Sequence, residues 1–161
     1  MKKIRFYGTL LVLTALLTAC PYSSEVPIDT PAVKVDTKIL DKWEPKSGNS
    51  ESYTITKADE FTYNIEKKSK TSTDVTKYKG FISDVNGVKF FNVYEDNAST
   101  KAYYLYKFDL TPSGSKITLS PVTENIDEKF ISSDELKKFI TKYMGLSFFF
   151  GKEDEVYIRA D

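Results

Sequence analysis

The stretch "ESYTITKADEFTYNIE", Glu51 to Glu66, shows the two-residue periodicity of a β-strand twice in succession. Successive side chains of a strand point to opposite faces, so each half predicts a strand with one apolar and one polar face. Residues 58–60 separate the halves and predict a short hairpin loop between them. The apolar members of the pattern are Tyr53, Ile55, Phe61, Tyr63 and Ile65.

The same strand pattern recurs along the chain. The 11 tyrosines and 11 phenylalanines suit strands, where aromatic side chains are enriched. Asn86-Gly87 predicts a tight hairpin turn, because both residues tolerate a positive φ. Further strands are predicted near residues 39–44, 75–85, 88–95, 102–110, 115–123 and 154–159.

One helix interrupts this pattern. Ser132 and Glu135 have the spacing of a capping box, in which the serine caps the helix and the glutamate lies three residues later. Gly145 is a natural stop for the helix. The intervening apolar stripe has helical spacing and consists of Leu136, Phe139, Ile140 and Tyr143.

The order of elements predicts a mainly β fold. About seven antiparallel strands precede the helix, and one strand follows it. Meandering strands of this number close well into an up-and-down barrel of about eight strands, because closure removes the exposed edges. A β-sandwich of two sheets is the alternative.

The beginning of the chain has the pattern of a secretory signal. Three basic residues, Lys2, Lys3 and Arg5, precede the uncharged apolar run 10–17, which is too short to span a membrane. The composition therefore predicts a signal peptide over residues 1–19. Residues 20–38, which contain three prolines and several small polar residues, predict an extended tether. Residues 39–161 are predicted to form a single β-barrel-like domain.

Leu17-Thr18-Ala19-Cys20 resembles the lipobox of bacterial lipoproteins. The resemblance implies that the Cys20 sulfur receives a diacylglyceryl group, that the signal is cut before it, and that the new amine is acylated, for example with palmitate. Two or more chains anchor a protein stably, whereas one chain binds a membrane only marginally. The membrane is thus an expected partner through this N-terminal lipid.

Trp43, the only tryptophan, lies in the predicted first strand Ile39–Glu44. This segment resembles the G-x-W motif that begins the first strand of lipocalins and related calycins, with Asp41 in place of the glycine. The resemblance implies that Trp43 closes the barrel floor and that Arg159, from the last strand, packs across its ring. A cation over an indole is attractive.

The composition argues against several kinds of chemistry. Histidine is absent, and an acylated Cys20 leaves no thiol, so we expect no catalytic site, metal or cofactor and regard the chain as a non-enzyme. Removing residues 1–19 leaves 20 basic against 23 acidic side chains, a net charge of −3. A mildly acidic domain is a poor binder of nucleic acid.

Tyr104, Tyr106 and Phe108 share one face of a predicted strand. These are the candidate ligand-binding residues, because tyrosine hydroxyls in a cavity would orient a mostly apolar ligand. The alternative is that they fill the core. An eight-stranded barrel is only just wide enough for side chains or one small ligand, and so many large rings predict a filled interior.

These patterns predict a lipid-anchored protein of the bacterial cell envelope, at the outer membrane, because Pro21 rather than Asp follows the cysteine. We expect a non-enzymatic binding module for a small amphipathic ligand or for an envelope protein. The alternative is a structural or inhibitory envelope protein without a ligand cavity, acting through a surface patch such as Phe148–Phe150.

Replacing the lipobox cysteine tests the anchor. Cys20→Ala removes the acceptor sulfur, so the protein is expected to remain unacylated and to be released from membranes. Metabolic labelling with a fatty acid and membrane fractionation measure both effects. Continued fractionation of the variant with membrane lipid would contradict the prediction.

Overall fold

The computed structural model describes residues 22–47, 51–123 and 125–160. Cys20 and the predicted signal peptide lie outside these ranges. The described elements are β1 (Ser23–Ser24), a 3-10 helix (Thr37–Ile39), β2 (Asp41–Pro45), β3 (Glu51–Lys57), β4 (Tyr63–Ser69), β5 (Val75–Val85), β6 (Val88–Glu95), β7 (Tyr103–Leu110), β8 (Lys116–Pro121), α1 (Ser133–Tyr143) and β9 (Glu155–Arg159).

Strands β2 to β9 form a closed antiparallel barrel. Each pairs with the next in chain order, and β9 also pairs with β2. The prediction of a mainly β, up-and-down barrel of eight strands, with α1 before the last strand, is therefore confirmed, and the sandwich alternative is not adopted. The short β1 adds a ninth described strand, since Ser23 lies opposite Tyr104 beside the start of β7.

Local sequence signals account for the turns and the helix. The β3–β4 hairpin places Ile55 opposite Ile65, so both lie on the face that the alternation predicts. Asn86 and Gly87 take φ values of 55° and 85° between β5 and β6. Ser132 caps α1 by accepting a hydrogen bond from the Glu135 backbone N–H at 3.3 Å.

The apolar side chains form two separate clusters. The inner cluster lies within the barrel, and the outer cluster lies between the barrel wall and α1. Strands β6 and β7 contribute to both clusters, because their alternating side chains are apolar on both faces. The buried members of the outer cluster are Tyr22, Ile28, Val85, Phe90, Leu105, Val122, Leu136, Ile140 and Phe149.

The chain before the barrel differs from the predicted extended tether. Residues 22–40, which we call the strap, lie against the barrel: Ile28 is fully buried, and the Val35 N–H donates to the Glu60 carbonyl at 3.0 Å. The tether was predicted from prolines and small polar residues, whereas spaced apolar side chains decide the packing. These are Tyr22, Val26, Ile28, Val33 and Val35.

Asn92 joins the strap to the barrel wall. This side chain is 0% exposed; its Oδ1 accepts from the Ile28 N–H at 2.9 Å, and its Nδ2 donates to Ser83 Oγ at 2.8 Å. The Ser83 hydroxyl in turn donates to Asp29, whose carboxylate pairs with Lys137 of α1 at 3.0 Å. A single polar network therefore connects wall, strap and helix.

Removing this amide is expected to destabilise the fold. Asn92→Ala leaves the buried Ile28 N–H without an acceptor, and such a loss costs about 2–3 kcal/mol of unfolding free energy. Urea unfolding measures it. The matched control is Asn97→Ala, at an exposed turn position, which should change stability little. Equal stability of the two variants would show that the network contributes nothing.

Candidate functional site: a cavity within the barrel

One end of the barrel is closed by Trp43. Its side chain is 1% exposed, and its indole N–H donates to the Ile39 carbonyl at 2.8 Å. Arg159 lies opposite Trp43 in the β2–β9 register, with its guanidinium carbon 5.3 Å from the centre of the indole ring. The structure therefore brings together the two residues expected to close the floor.

The Arg159 guanidinium also connects three segments of this floor. It donates to the Lys38 carbonyl at 2.7 Å and to the Gly114 carbonyl at 2.9 Å, and it pairs with Asp41. Gly114 has a φ of 70°, and a Cβ there would lie 3.3 Å from Lys38 Cβ. Glycine at this turn thus permits both the backbone conformation and the close approach of the strap.

A cavity of about 720 Å³ occupies the barrel interior above this floor. Tyr104, Tyr106 and Phe108, the candidate ligand-binding residues, all line it. The cavity extends to the end of the barrel where β2 and β6 finish and β3 and β9 begin. The predicted filled interior is therefore wrong.

The interior is open because many of the large rings lie elsewhere. Phe90 and Phe149 are at most 1% exposed but belong to the outer cluster. Phe150 stacks on Phe90 with ring centres 6.2 Å apart. The amino-acid composition gives the number of aromatic rings but not the face of the barrel wall on which each ring lies. A prediction from composition therefore overestimates how many rings enter the barrel.

Five tyrosines line the cavity: Tyr53, Tyr78, Tyr104, Tyr106 and Tyr157. The Tyr53 hydroxyl donates to Glu51 at 3.1 Å, and the Tyr157 hydroxyl donates to Glu155 at 2.6 Å. The other three, on Tyr78, Tyr104 and Tyr106, have no hydrogen-bond partner among the described residues. All buried side-chain polar atoms of the described residues have a hydrogen-bond partner, so these three unpartnered hydroxyls are not fully buried.

Burial governs the ionisation of these rings. It raises the pKa of Tyr106 and of Tyr157 well above the ordinary value of 10.0, and the charge of Glu155 adds to both effects. Burial and the Glu51 carboxylate raise the pKa of Tyr53 in the same way. At neutral pH these hydroxyls are uncharged and can both donate and accept hydrogen bonds.

The mouth of the cavity carries more negative than positive charge. The lysines that line it are Lys46 and Lys67, and the Lys67 ammonium lies 3.3 Å from a Glu51 oxygen. The carboxylates that line it are Glu51, Glu95, Glu153, Asp154 and Glu155. They stand where strands begin or end, which keeps the charges close to solvent.

Tyr53 and Tyr157 are not among the candidate ligand-binding residues, although the sequence contains a signal for them. Glu51-Ser52-Tyr53 and Glu155-Val156-Tyr157 both place a glutamate two residues before a tyrosine. Residues at i and i+2 share a strand face, so each pair can hydrogen-bond on the inner side. Tyr78 and Glu95 had no comparable local signal.

The triple-phenylalanine segment divides between surface and core. Phe148 is 59% exposed, Phe149 is 1% exposed, and Phe150 forms an isolated bridge with Val122. Of the surface patch Phe148–Phe150 that the sequence suggests, one ring, that of Phe148, is therefore exposed. Leu146, two residues earlier in the chain, is 43% exposed.

A second, smaller cavity of about 410 Å³ lies at the floor end. Phe108 lines both cavities, and its ring contacts Phe91, whose ring contacts Tyr63. These three contacting rings lie between the two cavities. Two of the lysines that line the second cavity form ion pairs, Lys34 with Glu60 and Lys107 with Asp109.

Within the described ranges, no cluster of three or more His, Cys, Asp or Glu side chains could hold a metal ion. In the same part of the chain, no helix is long and apolar enough to cross a membrane. Comparisons of the chain with protein-family models, with characterised proteins and with solved structures find no match. The function must therefore be inferred from the geometry of the cavity.

The buried tyrosines predict loss of stability at high pH. Their hydroxyls ionise near pH 10 in the unfolded chain but at higher pH in the native state. The unfolded state then binds fewer protons, so the stabilisation is complete below about pH 10 and decreases as the pH rises further. Tyrosinate absorbance and circular dichroism, recorded together, should show these rings ionising only as the barrel unfolds.

Tyr106→Phe supplies the control, since it removes one such group and should move alkaline unfolding to higher pH. Smooth ionisation of all tyrosines near pH 10, with the barrel intact, would contradict the assignment.

Proposed function

We propose that this protein is a non-enzymatic binding module that holds a small amphipathic ligand inside its barrel. The cavity of about 720 Å³ is the observation that carries this proposal. Its volume is within the range of small-molecule sites, about 300–1,000 Å³. A macromolecular ligand would not fit it.

The lining supports an amphipathic ligand, because its chemistry changes from floor to mouth. Apolar side chains such as Ile55, Ile65 and Ile117 line the deeper part. The rest is lined by Tyr78, Tyr104 and Tyr106 and by the charged side chains of the mouth. A ligand with an apolar body and a polar end would match both parts, since each buried polar atom needs a partner.

The proposal also places the protein at the bacterial cell envelope. The lipobox-like Leu17-Thr18-Ala19-Cys20, after a basic and apolar beginning, supports a lipid anchor and an outer-membrane location. The resemblance to calycins gains support from the packing of Arg159 on Trp43 at the floor. A ligand carrier or sensor at a membrane surface is consistent with both features.

The alternative is a structural or inhibitory envelope protein that acts through a surface patch. Its supporting observation is the exposure of Phe148, at 59%, and of Leu146 nearby. This alternative assumed a barrel without a cavity, and the open interior favours the ligand-binding proposal instead.

A cavity-filling variant tests the proposal. Val93 lines the cavity, so Val93→Trp should fill part of it and weaken binding of an uncharged fluorescent naphthalene probe at least tenfold. The matched control is Tyr94→Trp, at the next position of the same strand, where the ring lies on the outer side of the barrel with its centre 5.2 Å from that of Tyr103. Thermal unfolding establishes that both variants are folded.

Native mass spectrometry of the protein purified from its own host provides a readout without substitutions. A retained small molecule, lost on denaturation, is the expected result. Absence of any retained ligand, together with equal probe binding by both tryptophan variants, would contradict a cavity site.

A further inference from the structure

The charges at the cavity mouth distinguish between classes of amphipathic ligand. Five carboxylates and two ammonium groups of the described residues line the cavity, so the mouth has a net negative charge. One ammonium, that of Lys67, is already paired with Glu51. Lys46 is exposed at the end of β2. A ligand anion entering here would meet an excess of like charge.

Glu155 connects the carboxylate mouth to the tyrosine lining of the cavity. It accepts a hydrogen bond from the Tyr157 hydroxyl at 2.6 Å, and Tyr157 is 7% exposed. Burial, and then the charge of Glu155, raises the pKa of Tyr106. The carboxylate is therefore close enough to the interior for its field to act on a group in the cavity.

The tyrosine rings provide a second feature suited to positive charge. Tyr53 and Tyr157 meet edge to face with ring centres 5.3 Å apart, and both line the cavity below the glutamates. Aromatic faces attract cations, especially where water is excluded. The Tyr53 and Tyr157 hydroxyls donate hydrogen bonds to Glu51 and Glu155, and these bonds fix the orientation of the two rings.

From the cavity, its carboxylate mouth and its tyrosine lining, we propose that the ligand is an amphipathic cation: an apolar ring or short chain that ends in an amine or quaternary ammonium group. The apolar body occupies the deep part above Trp43 and Phe108. The cationic end lies near Glu155 and Glu95, among the tyrosine rings. This inference rests on the proposed ligand-binding function and names the class of ligand.

Three probes of one shape test the charge preference: naphthylethylamine, naphthylethanol and naphthylacetate, which are positive, neutral and negative at neutral pH. Titration calorimetry on the intact protein at low salt measures their affinities. The amine should bind about tenfold more tightly than the alcohol, and the acetate most weakly. The advantage of the amine should diminish at high salt.

Glu95→Gln combined with Glu155→Gln removes two charges while keeping side-chain size and an acceptor for the Tyr157 hydroxyl. The double variant should lose the tenfold preference for the amine over the alcohol. The matched control, Glu66→Gln, changes a charge on the outer side of β4, between the inward-facing Ile65 and Lys67, and should keep the preference.

The outcomes separate the two claims. If none of the three probes binds in the cavity, the proposed ligand-binding function itself fails. If the alcohol or the acetate binds at least as tightly as the amine, the cavity binds ligands but the inference of a cation is wrong. Equal effects of the double variant and of Glu66→Gln on the amine would also overturn it.

Discussion

The wall formed by β5, β6 and β7 is apolar on both faces, and this constraint shapes the rest of the molecule. A strand with two apolar faces needs cover on its outer side as well as a barrel interior on its inner side. The strap and α1 supply that cover, and Asn92 hydrogen-bonds the strap to the wall at a fully buried position. Large rings are thereby drawn to the outside, which leaves the interior open.

The two ends of the closed barrel differ in their chemistry. Trp43 and Arg159 close one end, where the guanidinium also binds the backbone of the strap and of the β7–β8 turn. The opposite end is lined by carboxylates and tyrosines rather than by large apolar groups. One apolar end and one polar, negatively charged end together define the proposed ligand chemistry.

Much of the fold could be predicted from local sequence signals. The hairpins follow from alternation and from Asn86-Gly87, and α1 follows from Ser132, Glu135 and the apolar stripe, because these signals act within a few residues. The strap could not be predicted, since burial of Ile28 depends on Asn92, which lies 64 positions away. Proline content suggested an extended segment but contained no information about that distant acceptor.

The candidate site was predictable in part for the same reason. Tyr104, Tyr106 and Phe108 share a face by alternation alone, and the structure places all three on the cavity lining. Whether that face encloses space or packed rings depends on where Phe90 and Phe149 lie, which the tertiary structure decides. The charge of the mouth likewise depends on which strand ends meet at one rim of the barrel.

The most decisive measurement is whether a bound ligand directly contacts the inner wall of the barrel. The account predicts nuclear Overhauser effects from bound naphthylethanol to the ring protons of Tyr106 and Phe108, with none to Phe139 or Phe148 on the outer side. Effects confined to the outer rings, with the inner rings unperturbed at saturating probe, would contradict a ligand site within the barrel.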